Sequence, residues 1–317
     1  MAGLQEVVAR VVYHPKLVMG FPGLSLLHPF DGSRPRRVSQ ALDREFGAGK
    51  WGLLEPEGPV HDEQLTRVHH PEYLKSLQRP QVLARAFEVG PLALCPAKFL
   101  DWIALTPMRW ATQCALRGAR TALQEGVALS LGGGFHHAKP AQGEGFCILA
   151  DVAYLVRTLQ DEGKLKKVLH VDLDAHQGNG ISHCFADDQS VQLFDMYNRD
   201  TYPAGDELGV SRLNVDLGLP QGVGDDQYLS TLTENLPEFL DQGADLVIYN
   251  AGTDVLAGDP LGGMTLSPKG VLERDMFVFA ETQRRGLPIL SLPSGGYSEG
   301  STRALTATTI HVLKRYT

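Results

Sequence analysis

The sequence predicts an α/β fold in which a parallel β-sheet is buried between helices. Short apolar segments of strand length alternate with helical patterns through the second half of the chain, the order expected of βαβ units. A segment such as 246–249 is apolar throughout, which is typical of parallel strands covered on both faces. Candidate polar clusters follow directly after these segments, and in such sheets ligands bind at the carboxyl ends of the strands. We therefore expect a functional site along one edge of the sheet.

The predicted elements are less regular in the first third of the chain than in the rest. A Pro- and Gly-rich stretch spans 15–36, and a long helix at 102–125 ends at Gly126, as helix C-termini commonly do. Beyond it, strands and helices alternate. The predicted strands are 7–13, 127–131, 168–173, 191–194, 213–215, 246–249 and 288–292, and the predicted helices are 38–46, 71–77, 102–125, 150–160, 227–240 and 268–285.

Length and composition are those of an ordinary globular protein. The chain has 317 residues, of which 43% are hydrophobic and 21% charged. Large α/β folds of this length often form one unit, so we predict a single domain over residues 1–317. The net charge of −8 disfavours a nucleic-acid partner, because neutralising phosphates requires clustered Lys and Arg.

The cysteines and the N-terminal sequence bear on the cellular compartment. No two cysteines form a CxxC pair, so structural zinc sites of the cysteine type are not expected. We find no basic segment followed by an apolar core at the N-terminus, and no apolar run of the ~20 residues that a membrane helix requires. We therefore expect a soluble, cytoplasmic protein without a membrane span and with reduced thiols at Cys95, Cys114, Cys147 and Cys184.

One cluster of candidate metal ligands leaves the strand 168–173. Alternation along an extended chain places Asp172, Asp174 and His176 on one side, and buried carboxylates require a partner or a cation. A later strand leads to Asp254. Two carboxylates, from Asp174 and Asp254, and the imidazole of His176 suit a catalytic Zn²⁺ with open positions, although Fe²⁺ or Mn²⁺ would accept the same donors. The alternatives are that Asp174 caps a helix and that Asp254 is a turn residue.

Two further strand ends carry groups suited to hydrolysis. Three glycines at 132–134 precede His136 and His137 and permit the backbone bend that both imidazoles need to face one cleft. Histidines beside a metal can activate water. After the strand 288–292, a Gly-Gly pair presents Tyr297, whose phenol can donate a hydrogen bond to a developing oxyanion. The alternatives are histidines of the core or the surface, and a tyrosine that belongs only to a turn.

Together these runs resemble the histone deacetylase family, which has the arginase/deacetylase fold. The matching runs are Gly-Gly-Gly-Phe-His-His at 132–137, Gly-Phe-Cys at 145–147, Val-Asp-Leu-Asp-Ala-His-Gln-Gly-Asn-Gly at 171–180, Asp254 with Gly-Asp-Pro at 258–260, and Gly-Gly-Tyr at 295–297. Their order and spacing agree from about residue 13 to residue 310. The runs 28–31, 174–179 and 196–203 look most like class IV and its bacterial and plant relatives. The resemblance implies a three-layer α/β/α fold with a central, mainly parallel eight-stranded sheet.

The resemblance also implies two metal ions. Asp174, His176 and Asp254 would bind one catalytic Zn²⁺ per chain. A structural K⁺ would lie nearby, held by Asp172, by the main-chain carbonyls of Asp174 and His176, and by groups around 193–195.

Catalytic roles follow from the same resemblance. His137 would be the general base and would later protonate the leaving amine, while His136, paired with Asp172, would remain largely imidazolium. Tyr297 would hold the carbonyl oxygen together with the zinc. The channel for an aliphatic lysine stem would be lined by Gly145, Phe146, Tyr202 and Leu261.

Asn179 departs from the commonest family pattern, which has Asp as the partner of the second histidine. A neutral amide raises the pKa of His137 less than a carboxylate would. We therefore predict that His137 is the readier base, and that Asn179→Asp raises the kinetic pKa assigned to it.

The leading hypothesis is a zinc-dependent amidohydrolase that removes acetyl or longer fatty acyl groups from lysine side chains. Hydrolysis of acetylpolyamine or another small N-acyl amide is the first alternative, and an acidic rim at Glu88 or Asp101 would favour it. A ureohydrolase with two Mn²⁺ ions is disfavoured, because Gly178 stands where a ligand to the second metal would be needed. The alternative from another class is a catalytically inactive acyl-lysine-binding module.

Overall fold

The computed structural model describes residues 7–20, 29 and 31–316. His28 and Phe30, from the run compared with class IV, lie outside the described residues. Within that part of the chain, eight strands form one sheet in the order β2-β1-β3-β8-β7-β4-β5-β6, and every neighbouring pair is parallel. The strands are β1 Val8–Val12, β2 Leu53–Leu54, β3 Gly126–Ser130, β4 Val168–Asp172, β5 Val191–Asn198, β6 Val215–Leu219, β7 Leu246–Asn250 and β8 Ile289–Leu292.

Helices flank the sheet as two groups. In one group, α6 (Thr106–Glu125) packs against β1, β3 and β8 and contacts α7 (Asp151–Asp161). In the other, the helices Arg34–Phe46, Glu299–Arg315, Pro268–Arg284 and Asp225–Asp241 pack in succession. None of the helices described is long and apolar enough to cross a bilayer. The α-helices are α1 Arg34–Phe46, α2 Asp62–Leu65, α3 Pro71–Ser76, α4 Pro80–Ala86, α5 Ala97–Leu100, α6 Thr106–Glu125, α7 Asp151–Asp161, α8 Asn179–Cys184, α9 Glu207–Ser211, α10 Asp225–Asp241, α11 Pro268–Arg284 and α12 Glu299–Arg315.

The order of the strands explains how distant residues come together. The four strands followed by predicted site residues, β3, β8, β7 and β4, are consecutive neighbours in the sheet. Because they are parallel, their carboxyl ends meet at one edge, and the four loops that follow them lie side by side. The central strands are also the most buried part of the core: every residue of β4, β7 and β8 is buried. This rigid edge fixes the positions of the loops above it.

The prediction of a buried parallel sheet is confirmed, and the element boundaries show where the pattern failed. β5 continues to Asn198, beyond the predicted 191–194, because buried polar residues such as Asp195 interrupt its apolar run. The predicted strand 213–215 was wrong, since the strand begins at Val215 and runs to Leu219. The pattern did not predict β2, α12 or the short helices α2, α4, α5, α8 and α9. In α12, small residues and threonines weaken the apolar periodicity on which a helix prediction depends.

Candidate metal and catalytic site

Three of the predicted ligands converge at the carboxyl ends of β4 and β7. The side chains of Asp174, His176 and Asp254 are buried, and one ligand atom from each lies within 4.8 Å of the others. Nδ1 of His176 lies 3.1 Å from Oδ1 of Asp174 and 3.0 Å from Oδ2 of Asp254. The structure therefore brings together the triad that the sequence predicted.

Glycines and main-chain amides hold the two carboxylates in this position. A Cβ atom at Gly252 would lie 2.3 Å from Oδ2 of Asp174, and one at Gly295 would lie 2.3 Å from Oδ2 of Asp254. The amide of Gly295 donates to Oδ2 of Asp174 at 2.7 Å, and the amide of Ala175 donates to Oδ1 of Asp254 at 2.9 Å. Close approach of the backbone is therefore a requirement of the site, which only glycine satisfies at these positions.

The donor set fits a divalent metal ion. Burial and the adjacent charge of Asp174 raise the pKa of Asp254 to about 7, so two ionised carboxylates are unfavourable here without a cation. The same carboxylates overcome burial and raise the pKa of His176 well above its ordinary value, which places positive charge between them when no metal is bound. Two carboxylates and one imidazole leave coordination positions open, as catalytic zinc sites do.

A buried arginine that the sequence pattern does not indicate lies beneath the triad. Arg274, in α11, is fully buried and donates to the main-chain carbonyls of Leu173 at 3.0 Å and Gly252 at 2.7 Å. Its charge is compensated by Asp275, whose carboxylate lies 2.8 Å away. Arg274 thus ties together the two segments that carry the metal ligands. An arginine in an amphipathic helix gives no sequence signal for this role, because most such residues are solvated.

The two adjacent histidines have different partners. Nδ1 of His136 lies 2.9 Å from Oδ2 of Asp172, whereas Nδ1 of His137 lies 2.8 Å from the amide oxygen of Asn179. Burial disfavours the imidazolium of His136, but the charges of Asp172 and Asp174 outweigh it and raise its pKa to about 9. Burial, followed by the positive charges of His136 and His176, lowers the pKa of His137 well below the ordinary 6.5.

The loop that carries these histidines is shaped by glycine and by a buried carboxylate. Gly133 and Gly134 have φ of 108° and 84°, which side chains other than glycine rarely adopt. Asp151, at the start of α7, accepts hydrogen bonds from the amides of Gly134 at 2.7 Å and Phe135 at 2.9 Å. Asp151 was not among the predicted site residues, although it sets the path of the chain into both histidines.

The predicted channel residues surround a pocket that ends at the triad. The ring of Phe146 lies 5.7 Å from that of Tyr297, and the ring of Tyr202 lies 5.0 Å from that of His137. Glu88 also lines this pocket, while Asp101 does not. The full lining is Glu88, His137, Gly145, Phe146, His176, Tyr202, Leu261 and Tyr297.

Tyr297 is held as a neutral phenol. Burial and the carboxylates of Asp254 and Asp174 raise its pKa well above the ordinary value of 10.0, so the hydroxyl keeps its proton at neutral pH. Its ring lies 6.2 Å from that of His176, and its main-chain amide donates to Oδ2 of Asp259 at 2.8 Å. The phenol is therefore available as a donor beside the metal ligands.

A second cavity adjoins the channel near His136 and Tyr297. Its wall includes apolar side chains, and its empty volume is about 680 Å³ including its opening to solvent. Arg34 lies in the same wall and donates to the main-chain carbonyls of Gly295 at 2.9 Å and Gly296 at 3.3 Å. The apolar lining residues are Leu17, Met19, Pro35, Ala111, Leu131, Phe135, Phe146 and Pro293.

The residues predicted around a second cation also lie together. The side chain of Asp195 is buried, and its Oδ1 has no hydrogen-bond partner among the residues described. Its Oδ2 accepts from the amide of Gly178 at 2.8 Å, and a Cβ at Gly178 would lie within 3.4 Å of both Asp195 and Asp172. Burial and the charge of Asp172 raise the pKa of Asp195 well above its ordinary value.

Comparison with known proteins agrees with this geometry. The model of the histone deacetylase domain matches residues 28–313. A protein named Histone deacetylase 2 from Arabidopsis thaliana is 36% identical over 297 residues, which cover 93% of this chain and 76% of that protein. The chain belongs to the histone deacetylase family. This membership supports hydrolysis of acylated amines as its activity.

Two further proteins and one solved structure are also similar to this chain. An uncharacterised protein from Picosynechococcus is 34% identical over 91% of this chain and 92% of its own length. Polyamine deacetylase HDAC10 from Rattus norvegicus is 32% identical over 74% of this chain and 43% of that protein. The crystal structure of the HDA15 HD domain has a TM-score of 0.77 over 98% of this chain and 90% of that one, at 23% identity, which shows a shared fold. The arginase/deacetylase fold predicted from the sequence is thereby confirmed.

Proposed function

We propose that this histone deacetylase family member is a zinc-dependent deacylase that removes acyl groups from lysine side chains. The observation that carries the proposal is the convergence of Asp174, His176 and Asp254 at the end of a channel walled by Phe146 and Tyr202. When bound, zinc supplies a Lewis acid that lowers the pKa of water and polarises a carbonyl group.

The two histidines divide the proton chemistry between them. His137 is the neutral imidazole, because burial and its charged neighbours lower its pKa, and it accepts a proton from the attacking water. It later returns that proton to the leaving amine. His136, whose pKa is raised to about 9, remains imidazolium and stabilises the negative charge that develops on the oxygen atoms bound to the reacting carbon.

Tyr297 completes the electrostatic arrangement. Its phenol keeps its proton and donates a hydrogen bond to the developing oxyanion. Removal of one such donor from an enzyme typically lowers kcat by about 10²- to 10³-fold.

The shape of the site supports a lysine stem and an acyl chain in separate compartments. The aromatic rings of Phe146 and Tyr202 wall the channel in which the aliphatic stem would lie. The adjoining apolar cavity is lined in part by His136 and Tyr297, and it would receive the acyl group. We therefore propose that acyl groups longer than acetyl are accepted. The runs 174–179 and 196–203 separately support our proposal that the protein belongs with class IV of the family.

Hydrolysis of acylated polyamines is the second candidate. Glu88, an exposed carboxylate, lines the channel and would attract a second ammonium group of the substrate. A relative that covers 74% of this chain carries the name polyamine deacetylase.

We also propose a structural K⁺ ion at Asp172 and Asp195. The unpartnered Oδ1 of buried Asp195 supports a cation there, because an isolated carboxylate in the interior is costly. The main-chain carbonyls of Asp174 and His176 would complete the oxygen ligands that a hard cation prefers.

Metal analysis and a substrate series test the proposed function together. We expect one zinc ion per chain, loss of turnover on chelation, and recovery when zinc is restored. A second tightly bound ion in the triad would instead indicate a dinuclear ureohydrolase. The value of kcat/KM, measured over acyl chain length on one lysine peptide and on acylated polyamines, then assigns the substrate. Absence of turnover with every substrate by the zinc-loaded protein would indicate an acyl-lysine-binding module.

A further inference from the structure

The side-chain amide of Asn179 is fixed by four polar contacts. Its Nδ2 donates to Oε1 of Glu144 at 2.7 Å and to Oδ2 of Asp206 at 3.0 Å. Its Oδ1 accepts from the amide of Gly180 at 3.0 Å and lies 2.8 Å from Nδ1 of His137. Asn179 itself is buried, so none of these contacts is readily replaced by solvent.

These contacts determine which way the amide points. Rotating it by 180° would turn its oxygen toward the carboxylates of Glu144 and Asp206 and its NH₂ group toward the N–H of Gly180. Both changes replace hydrogen bonds with repulsive contacts in a buried site. The carbonyl oxygen of Asn179 must therefore face His137, and it accepts a hydrogen bond only if Nδ1 of His137 carries the proton. That tautomer leaves Nε2 of His137 unprotonated.

A lysine holds the two carboxylates in place. Nζ of Lys139 lies 2.9 Å from Oε1 of Glu144 and 3.0 Å from Oδ2 of Asp206. The three side chains are only 15–18% exposed, so their charges are weakly screened. Although burial opposes ionisation, the hydrogen bonds from Lys139 and Asn179 hold the pKa of Glu144 below its ordinary value. Asp206 also accepts from Nε2 of His183 at 3.0 Å.

We propose that Glu144 and Asp206 are positioning residues for the base: through Asn179 they hold His137 in the tautomer whose Nε2 can accept a proton. This inference rests on the proposed function, in which His137 is that base. Neither carboxylate touches the reacting atoms. The two carboxylates and the ammonium group of Lys139 carry a net negative charge, which lies one side chain further from His137 than Asn179 does. Asn179 itself lacks this charge.

The same contacts explain why position 179 carries an amide. An aspartate there would place a third carboxylate next to those of Glu144 and Asp206, with Lys139 as the cation shared between them. Asn179→Asp alone should therefore be unfavourable. Asn179→Asp combined with Glu144→Gln removes one charge and restores a possible donor, so the effect of a carboxylate on His137 is best measured in this double variant.

The first test reads the tautomer of His137 directly. We would record imidazole ¹⁵N chemical shifts of the zinc-loaded protein and assign the His137 signals by their absence in His137→Ala. The native protein should show the Nδ1–H tautomer. Glu144→Gln, which keeps an acceptor for Asn179, should retain it, whereas Glu144→Leu should shift the population toward Nε2–H. Glu162→Leu, which removes an exposed glutamate paired with Arg120 and Lys164 away from the site, is the control.

Kinetics form the second test. Glu144→Leu should lower kcat by about 10- to 100-fold with little change in KM, the range seen when an outer partner is removed, and Glu144→Gln should recover most of the loss. The loss caused by Asn179→Asp should be about tenfold smaller in the Glu144→Gln background, which is the signature of coupled residues. An unchanged His137 tautomer in Glu144→Leu would overturn the inference. A tautomer shift in a protein that hydrolyses no acylated amine would support the positioning role and refute the proposed function.

Discussion

Nδ1 of His136 lies 2.9 Å from Oδ2 of Asp172, and both side chains are buried. This pair places a fixed positive charge next to His137, whose ring centroid is 4.0 Å away. The charge of His136 is one reason why the pKa of His137 is low, second only to burial. The carboxylate of Asp172 therefore contributes to both pKa shifts, because it raises the pKa of His136 and thereby maintains a charge that lowers the pKa of His137.

Asp172→Asn should bring the pKa values of His136 and His137 closer together. Without the carboxylate, the pKa of His136 should fall from about 9 toward the ordinary 6.5, because burial then meets less opposition. The pKa of His137 should rise, since its neighbour loses its charge. Both values can be followed by NMR titration of the metal-free protein. A pKa of His136 that stays near 9 would contradict the assignment of Asp172 as its partner.

Tyr297→Phe tests the oxyanion donor. The substitution removes only the hydroxyl and keeps the ring against Phe146 and His176. We expect kcat to fall by about 10²- to 10³-fold, with metal stoichiometry and thermal stability nearly unchanged. Steady-state kinetics and metal analysis of the same sample provide the measurement. A variant with native kcat would exclude the phenol from the transition state.

Arg274→Lys tests the support beneath the metal site. A lysine keeps the charge, but its single nitrogen cannot replace both Nη1, which donates to the carbonyls of Leu173 and Gly252, and Nε, which donates to Asp275. Zinc affinity should fall by about 10- to 100-fold, as is typical when outer partners of a metal site change. Competition with a chromophoric chelator measures it. Arg284→Lys, at an exposed position on the same helix, should leave the affinity unchanged.

Asp206→Asn tests the pH dependence of stability. Burial raises the pKa of Asp206, but hydrogen bonds from Gly209, Lys139 and Asn179 outweigh it, and the pKa lies below its ordinary value. As the pH falls, Asp206 therefore becomes protonated in the unfolded chain at a higher pH than in the folded protein. The stability contributed by its ionised carboxylate is lost as the pH falls below about 4. Asp206→Asn should be less stable than the native protein at pH 7 but lose less stability between pH 4 and pH 3. Urea unfolding at each pH provides the measurement, and an unchanged m-value would confirm that the folded state is responsible. An equal loss of stability by both proteins between pH 4 and pH 3 would contradict the prediction.

The predictable part of the site consists of residues that follow buried strands. Asp174, Asp254, His137 and Tyr297 each come shortly after an apolar segment, and parallel pairing brings such positions to one edge of the sheet. Family resemblance then supplied roles that spacing alone left open, such as which histidine accepts a proton. These roles, and the zinc and potassium ions, stay predictions until they are measured.

The unpredicted part consists of residues whose role depends on contacts across the chain. Arg274 reaches the carbonyl of Leu173, which is 101 positions away, and Glu144 reaches Asn179 from a loop of its own. Asp151 looks in the sequence like an ordinary residue at the start of a helix, yet its carboxylate anchors the glycine loop. Local patterns contain no information on such partners, because each side chain has the same propensities whether it is solvated or buried against a distant segment.

Local sequence patterns are sufficient to predict the class of fold, the four strand ends that carry candidate site residues and a candidate metal-ligand triad, because apolar periodicity and the position of polar residues after buried strands are local properties. The strand order that makes those ends neighbours and the side chains that contact each histidine become known only from the tertiary structure. Strand order and side-chain partners both depend on which distant segments of the chain meet in the buried interior, where charges are weakly screened. Folding brings Nζ of Lys139 to 2.9 Å from Glu144 and 3.0 Å from Asp206, and it brings Nδ2 of Asn179 to 3.0 Å from Asp206.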